Sequence, residues 1–147
     1  MRRFVASSFG LGLIPRRLWG SDNGAGTFGA ALAAVIALPL IDKPLLGAIV
    51  AVLAIAVSLW SAAPFSDGDP GWVAIDEVAG TLVALVGLAG IPWAVALVIA
   101  RGADITKALP GIKRAERLPG ALGVTADDVL AGLYGLAAGW VLVGLGA

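Results

Sequence analysis

Two reactive residue types are missing from this chain, which contains neither cysteine nor histidine. The absence of cysteine excludes disulfide bonds, thiolate metal ligands and cysteine nucleophiles. The absence of histidine removes the most frequent general base and the most frequent nitrogen ligand for metal ions. Any hydrolysis by this chain must therefore rest on carboxylates, cations and water.

The chain is also poor in charge. Charged residues make up 14% of its 147 residues and apolar residues make up 59%, with a mean hydropathy of +0.96. This composition lies outside ordinary globular usage and is typical of membrane proteins. The net charge is zero and no basic run stands out, so nucleic acid is not expected as a partner. The length fits one domain. We predict an all-α, polytopic integral membrane protein whose single domain is 1–147.

Long uncharged runs divide the chain into candidate membrane spans, since about 20 apolar residues cross a bilayer. One of them, 78–100, contains the sequence GIP at 90–92, which is typical of a turn. A turn there divides this part of the chain into helices at about 72–89 and 92–109. The other runs are 23–41, 44–66 and 129–147.

The distribution of basic residues favours this turn. With it, every Lys and Arg except Lys43 falls on one side of the bilayer, as expected of cytoplasmic loops. We therefore predict about five transmembrane helices in a compact bundle. The preceding segment, 1–22, has a basic start and carries Trp19, so we expect it to lie at the membrane interface or in the cytoplasm.

Seven of the ten acidic residues fall on the same predicted face. Carboxylates close to membrane depth are costly and usually mark a site for ions or chemistry. Solvated helix ends are the plainer alternative, because carboxylates favour the positive end of a helix dipole. Asp104 does not fit that alternative, since it lies near a helix C-terminus. The seven residues are Asp67, Asp69, Asp76, Glu77, Asp104, Asp127 and Asp128.

Helical spacing brings charges of both signs onto one face of the predicted fourth helix. Arg101, Asp104 and Lys107 lie within an arc of about 120°. Carboxylates with cations beside them indicate a site for metal and phosphate. Gly80 and Gly132, one turn after Asp76 and Asp128, favour close packing of the third and fifth helices with those carboxylates turned inward.

A glycine-rich stretch, GAGTFGAALAA at 24–34, opens the first predicted span. Backbone N–H groups at such a helix start can bind a phosphate, and Thr27 can cap the helix or donate to an anion. Glycine and alanine also serve helix packing, and the stretch is not a Walker motif.

Four blocks of the chain resemble the bacterial phosphatidylglycerophosphatase A family, in the same order and at similar intervals. Small differences from the family pattern occur at Ala25, Ala30 and Ala108, where the family usually has proline, serine and proline. The four blocks are AGTFGAALAAVIALPL at 25–40, WVAIDEVAG at 72–80, ARGADITKALPGI at 100–112 and PGALGVTADDVLAG at 119–132.

The resemblance implies an enzyme that removes the terminal phosphate from phosphatidylglycerophosphate with Mg²⁺, giving phosphatidylglycerol. It implies a multi-pass protein of the bacterial cytoplasmic (inner) membrane whose active site faces the cytoplasm, among membrane lipids. The implied phosphate-binding residues are Gly26, Thr27, Arg101 and Lys107. The implied metal-binding set is Asp76, Glu77, Asp104, Asp127 and Asp128. These five carboxylates, together with Arg101 and Lys107, form the expected catalytic set.

Other classes of protein also gather carboxylates in a membrane. A small cation transporter or channel would carry charge along a path through the bilayer, whereas most of each predicted span here is uncharged. A CDP-alcohol phosphotransferase would carry a D-x-x-D-G-x-x-A-R run, which does not occur in this chain. A purely structural subunit is a further alternative. The sequence makes no prediction about the oligomeric state.

Overall fold

Helices account for all the regular secondary structure of residues 1–66 and 70–147, the part of the chain that a computed structural model describes. The all-α class predicted from composition is confirmed. Short 3₁₀ turns lie at Leu11–Leu13, Leu38–Leu40 and Ala63–Phe65. The eight α-helices of the described residues are α1 (Arg2–Ala6), α2 (Ile14–Trp19), α3 (Ala25–Ala37), α4 (Pro44–Ala62), α5 (Ile75–Ala84), α6 (Gly90–Thr106), α7 (Ile112–Glu116) and α8 (Ala121–Gly144).

Two stretches of the described chain, Pro44–Phe65 and Ala121–Gly144, are long and apolar enough to cross a membrane. Pro44 begins α4 at a position where its missing N–H costs no hydrogen bond. The two stretches contain 22 and 24 residues, and a rise of about 1.5 Å per residue lets each span a hydrocarbon core of about 30 Å. Their large apolar side chains include exposed ones, such as Leu45 and Val141.

The predicted division of 78–100 into two helices is confirmed, because α5 ends at Ala84 and α6 begins at Gly90. The predicted helix at 72–89 is nevertheless too long. The chain turns at Gly87, whose φ of +67° favours glycine, and α5 has only 10 residues, or about 15 Å. The helix predicted at 92–109 ends three residues early. About five membrane spans are therefore not confirmed by helix length.

The five longer helices alternate in direction. The start of α3 lies against the start of α5, because Gly26 adjoins Glu77. The end of α4 reaches the start of α8 through a 2.8 Å hydrogen bond between the Ser58 and Thr125 hydroxyls. Glu77 at the start of α5 also lies near Arg101 at the end of α6, with Gly26 between them. One end of the bundle thus collects the starts of α3, α5 and α8 and the ends of α4 and α6.

Glycine permits backbone contact between α5 and α8. A Cβ atom added to Gly132 would overlap the Gly80 carbonyl oxygen, and one added to Gly80 would overlap the carbonyl oxygen of Asp128. Small residues allow this close approach between helices. The prediction that Gly80 and Gly132 mark the contact between these helices is confirmed. Helix α5 is the innermost element, and its residues are buried except for the partly exposed Glu77.

The N-terminal segment packs on the bundle as two short helices. The Ala74 N–H donates a 2.9 Å hydrogen bond to the Ala6 carbonyl. The Arg2 guanidinium lies 5.0 Å from the centre of the Trp60 ring, an arrangement typical of a cation–π contact. Phe4 and Trp19 expose more than half of their surface. These contacts attach the segment to the bundle, and its location at a membrane interface stays a prediction.

Candidate active site

The five carboxylates predicted to form a site lie together at one end of the bundle. Asp76 and Glu77 stand in the first turn of α5, where the helix dipole favours negative charge. Asp104 lies near the end of α6, where the dipole disfavours it, and Asp127 and Asp128 lie in the second turn of α8. The acidic residues at 67 and 69, predicted for the same face, lie outside the described residues.

The carboxylates form two overlapping groups, Asp76–Glu77–Asp128 and Asp104–Asp127–Asp128. Within each group, one oxygen from every residue lies within 4.8 Å of the others. Asp128 belongs to both groups. Four of the five residues are buried and Glu77 is partly exposed. Carboxylates this close in a buried setting repel one another strongly unless cations lie among them.

Two cations of the chain lie among these carboxylates. The Arg101 Nη1 donates to Asp104 Oδ2 at 2.7 Å, and the Lys107 Nζ donates to Asp104 Oδ1 at 2.8 Å. The Lys107 Nζ also donates to Asp127 Oδ2. Arg101, Asp104 and Lys107 therefore share one face, as predicted, although α6 ends just before Lys107. The Lys107–Asp127 pair joins the end of α6 to α8, and the other two pairs lie within the end of α6.

Lys107 keeps its positive charge in this setting. Burial alone lowers the pKa of Lys107, but hydrogen bonds from its ammonium to Asp104 and Asp127 and their negative charges raise it more. The net pKa lies above the ordinary value for lysine. Lys107 is therefore a fixed cation of the site at physiological pH.

Two buried carboxylate oxygens, Glu77 Oε2 and Asp127 Oδ1, have no hydrogen-bond partner among the described residues. Asp76 differs, because its Oδ1 accepts a 3.0 Å hydrogen bond from the Glu77 N–H. A buried polar atom without a partner is destabilising, and a bound cation removes that cost. The donors are all oxygen atoms, which suit a hard divalent cation such as Mg²⁺. The residues present thus fit such an ion.

A cavity of about 380 Å³ opens beside the carboxylates. Arg101 is absent from its lining, so the predicted role of Arg101 as a phosphate clamp has no support from the cavity. The six other predicted catalytic residues line it, namely Asp76, Glu77, Asp104, Lys107, Asp127 and Asp128.

The predicted phosphate-binding start of α3 lies behind Glu77 and outside the cavity lining. A Cβ atom added to Gly26 would overlap the Glu77 carboxylate and lie 3.0 Å from Arg101 Nη2. Gly26 therefore leaves room for these two side chains. Thr27 is exposed, and α3 has no side-chain cap, so the capping role predicted for Thr27 is wrong.

Sequence reasoning missed Glu116, an exposed residue that also lines the cavity. Glu116 belongs to the charged stretch KRAER at 113–117, and residues 112–116 form the short helix α7. Ile112 is fully buried, and Glu116 lies four residues later on the same helix face. An apolar residue directly before the charged run was the available signal. Ser66 and Gly120 also line the cavity.

Comparison with known proteins agrees with this site. A protein of Bacteroides thetaiotaomicron, provisionally named a phosphatidylinositol-3-phosphatase, is 31% identical over 144 residues, covering 88% of this chain and 86% of that protein. No solved structure matches the chain. The sequence model described as Phosphatidylglycerophosphatase A matches residues 4–143, a range that contains every carboxylate and cation of the site. Together with the preserved charged set, this match means that the chain belongs to the phosphatidylglycerophosphatase A family.

Proposed function

We propose that this protein hydrolyses the terminal phosphate of phosphatidylglycerophosphate in a Mg²⁺-dependent reaction that yields phosphatidylglycerol and inorganic phosphate. Family membership and the similarity to a named lipid phosphatase support lipid phosphatase activity. The proposal of a Mg²⁺-dependent reaction on this substrate rests on one observation. Both carboxylate groups and Lys107 line the same cavity. Neither the transporter nor the phosphotransferase alternative is favoured by the family.

Three residues are the proposed metal ligands, namely Asp76, Glu77 and Asp128. One oxygen from each lies within 4.8 Å of the others, and Glu77 Oε2 is buried without a hydrogen-bond partner among the described atoms. When bound, Mg²⁺ supplies charge stabilisation for the phosphate oxygens and lowers the pKa of a bound water.

Lys107 is the proposed contact to the substrate phosphate. An ammonium has three N–H donors, and two of them serve Asp104 and Asp127. The third donor is available to a phosphate oxygen in the cavity that Lys107 lines. Because Lys107 stays charged, it can stabilise the charge of the phosphoryl group throughout the reaction.

Asp127 is the proposed acceptor of a proton from the attacking water. It lines the cavity, and its Oδ1 is buried without a hydrogen-bond partner among the described residues. Its Oδ2 is held by Lys107, which fixes the orientation of the carboxylate. Arg101 is assigned a positioning role, because it holds Asp104 and lies against Gly26 near Glu77.

The proposed setting is the bacterial cytoplasmic membrane, with the protein crossing it about five times and the cavity facing the cytoplasm. The apolar stretches of α4 and α8 and the alternating directions of five helices support a multi-pass arrangement. Helix α5 is short, but it is buried among other helices, which is where short or broken helices are tolerated at membrane depth.

Orientation can be tested by cysteine labelling, since the chain has no native cysteine. A Lys113→Cys variant should react with a membrane-impermeant maleimide only after the cytoplasmic side is made accessible. Labelling of intact cells from outside would contradict a cytoplasmic cavity. An Ala147→Cys variant is the control for the other side of the membrane. Five crossings would place this residue outside the cell, so it should be labelled in intact cells.

The activity itself is tested by phosphate release from phosphatidylglycerophosphate in detergent. We expect release with Mg²⁺, loss of release in excess EDTA, and recovery when Mg²⁺ is restored. No release by folded, monodisperse protein would contradict the proposal. If excess EDTA leaves phosphate release unchanged, the Mg²⁺ dependence is wrong and the phosphatase activity stands.

A second candidate substrate is a phosphatidylinositol phosphate, favoured by the name of the relative that is 31% identical to this chain. The assay therefore includes phosphatidylinositol 3-phosphate beside phosphatidylglycerophosphate under the same conditions. A higher kcat/KM for the inositol lipid would reassign the headgroup and leave the phosphatase proposal in place.

A further inference from the structure

The two carboxylate groups differ in how their charge is balanced, although they share Asp128. We propose that the Lys107 ammonium takes the place of a second divalent cation in the Asp104–Asp127–Asp128 group, so that the site binds one metal ion, in the Asp76–Glu77–Asp128 group. This inference rests on the proposed metal-dependent function and specifies how many ions its site takes.

Contacts of the ammonium carry the inference. The Lys107 Nζ hydrogen-bonds one oxygen of Asp104 and one of Asp127, two of the three members of the second group. An ammonium among carboxylates occupies the position where a metal ion would otherwise bind. Each group has one buried oxygen without a hydrogen-bond partner in the described part of the chain, Glu77 Oε2 in the first group and Asp127 Oδ1 in the second. The groups differ because Lys107 binds the other oxygen of Asp127, whereas it forms no ion pair with Glu77. Lys107 therefore supplies its positive charge to the second group.

The backbone at Lys107 supports the same assignment. Lys107 adopts a left-handed conformation with φ of +50°, and its N–H donates a 2.9 Å hydrogen bond to the Ala103 carbonyl at the end of α6. This conformation is unfavourable for a residue with a side chain and persists where the surroundings enforce it. At this helix end, the ion pairs with Asp104 and Asp127 hold the Lys107 side chain against the carboxylates. Lys107 is thus held in the group and is not a mobile surface cation.

Charge balance also favours one ion over two. With every group ionised, five carboxylates and two cations leave three negative charges in the site. One divalent ion reduces this excess to one negative charge, whereas a second ion would make the site positive before substrate arrives. Removing the Lys107 charge raises the excess negative charge by one and frees one oxygen of Asp104 and one of Asp127. These changes create the conditions for a second ion.

The test is to count Mn²⁺ ions bound to purified protein and to record their electron paramagnetic resonance spectrum, without any lipid. We expect one isolated Mn²⁺ per wild-type chain. In Lys107→Ala we expect two Mn²⁺ per chain with a spin-coupled spectrum, because the shared Asp128 holds both ions close together. Lys113→Ala, which removes an exposed lysine on α7, should bind one isolated ion like the wild type.

Several results would overturn the inference. Two coupled ions in the wild type, or a single ion in a folded Lys107→Ala, would each contradict it and leave the proposed phosphatase function standing. No Mn²⁺ in folded wild-type protein would overturn the metal proposal as a whole. If Lys107→Ala does not fold, Lys107→Met replaces it in the same measurement, because methionine removes the charge and nearly keeps the length of the side chain. Phosphate release measured separately distinguishes these failures from a wrong substrate.

Discussion

The two ends of the helical bundle contrast sharply in charge. At the end where α5 and α8 begin, five carboxylates and two cations lie within one network, and most of them are buried. At the other end, the turn between α3 and α4 carries only Asp42 and Lys43, both exposed, and Pro44 and Trp140 surround Gly87. Buried charge is costly. Its concentration at one end supports the proposed location of the chemistry at that end.

The largest expected effect tests this contrast at Asp128, the carboxylate that both groups share. Asp128→Asn keeps the volume but removes the charge, so phosphate release should fall on the order of 10²–10³-fold. Asp42→Asn makes the same chemical change at the other end and should leave the rate unchanged. Rates are measured on folded, monodisperse variants in detergent. Equal rates for Asp128→Asn and wild type would mean that charge at this end is not catalytic.

A second prediction concerns the contact that holds α5 against α8. Gly132→Ala places a methyl group against the Gly80 carbonyl, so we expect a loss of about 1–3 kcal/mol of stability. Thermal unfolding in detergent measures this loss. Gly144→Ala lies on the same helix with no atom within 4 Å of the added methyl group, and it should unfold at the wild-type temperature or above. Equal destabilisation by both variants would contradict the backbone contact.

A smaller effect is expected at Arg101, which lies behind the carboxylates. Arg101→Lys keeps the positive charge but loses the planar guanidinium that holds Asp104 and lies against Gly26, so kcat should fall about tenfold. KM should change little, because Arg101 does not line the cavity. Arg114→Lys on α7 is the matched control. A rise in KM with kcat unchanged would restore the role of Arg101 as a phosphate clamp.

The smallest effect is expected at Glu116, the exposed carboxylate that lines the cavity. Glu116→Gln removes a negative charge that repels an incoming phosphate, so KM should fall about twofold. Raising the salt concentration should reduce the difference, since exposed charges are screened. A large fall in kcat would instead place Glu116 among the catalytic residues.

Sequence reasoning succeeded where charge and glycine patterns act locally. The paired positions of Gly80 and Asp76, and of Gly132 and Asp128, predicted the crossing of α5 and α8, because a glycine one turn from a carboxylate places both on one helix face. The turn between α5 and α6 was also predictable from the sequence GIP at 90–92, although the chain turns a few residues earlier, at Gly87.

Other features depend on contacts that are distant in sequence. Helix α5 was predicted too long, because the chain already turns at Gly87, which lies against Pro44 and Trp140 from distant parts of the sequence. The position of Arg101 behind Glu77 depends on Gly26, which lies far away in the chain. Hydropathy indicated a membrane span in this region, but it could not show that the helix there, α5, is short and buried. Local patterns identified the charged residues of the site, and packing decided which of them line the cavity.

The backbone contact between Gly80 and Gly132 has a mechanical consequence for a protein that works in a bilayer. The two helices already touch through main-chain atoms, one turn from Asp76 and Asp128. Lateral pressure from the lipids cannot bring them closer, because a close-packed contact resists compression. The separation of Asp76 and Asp128 would therefore stay nearly constant as the lipid composition of the membrane changes.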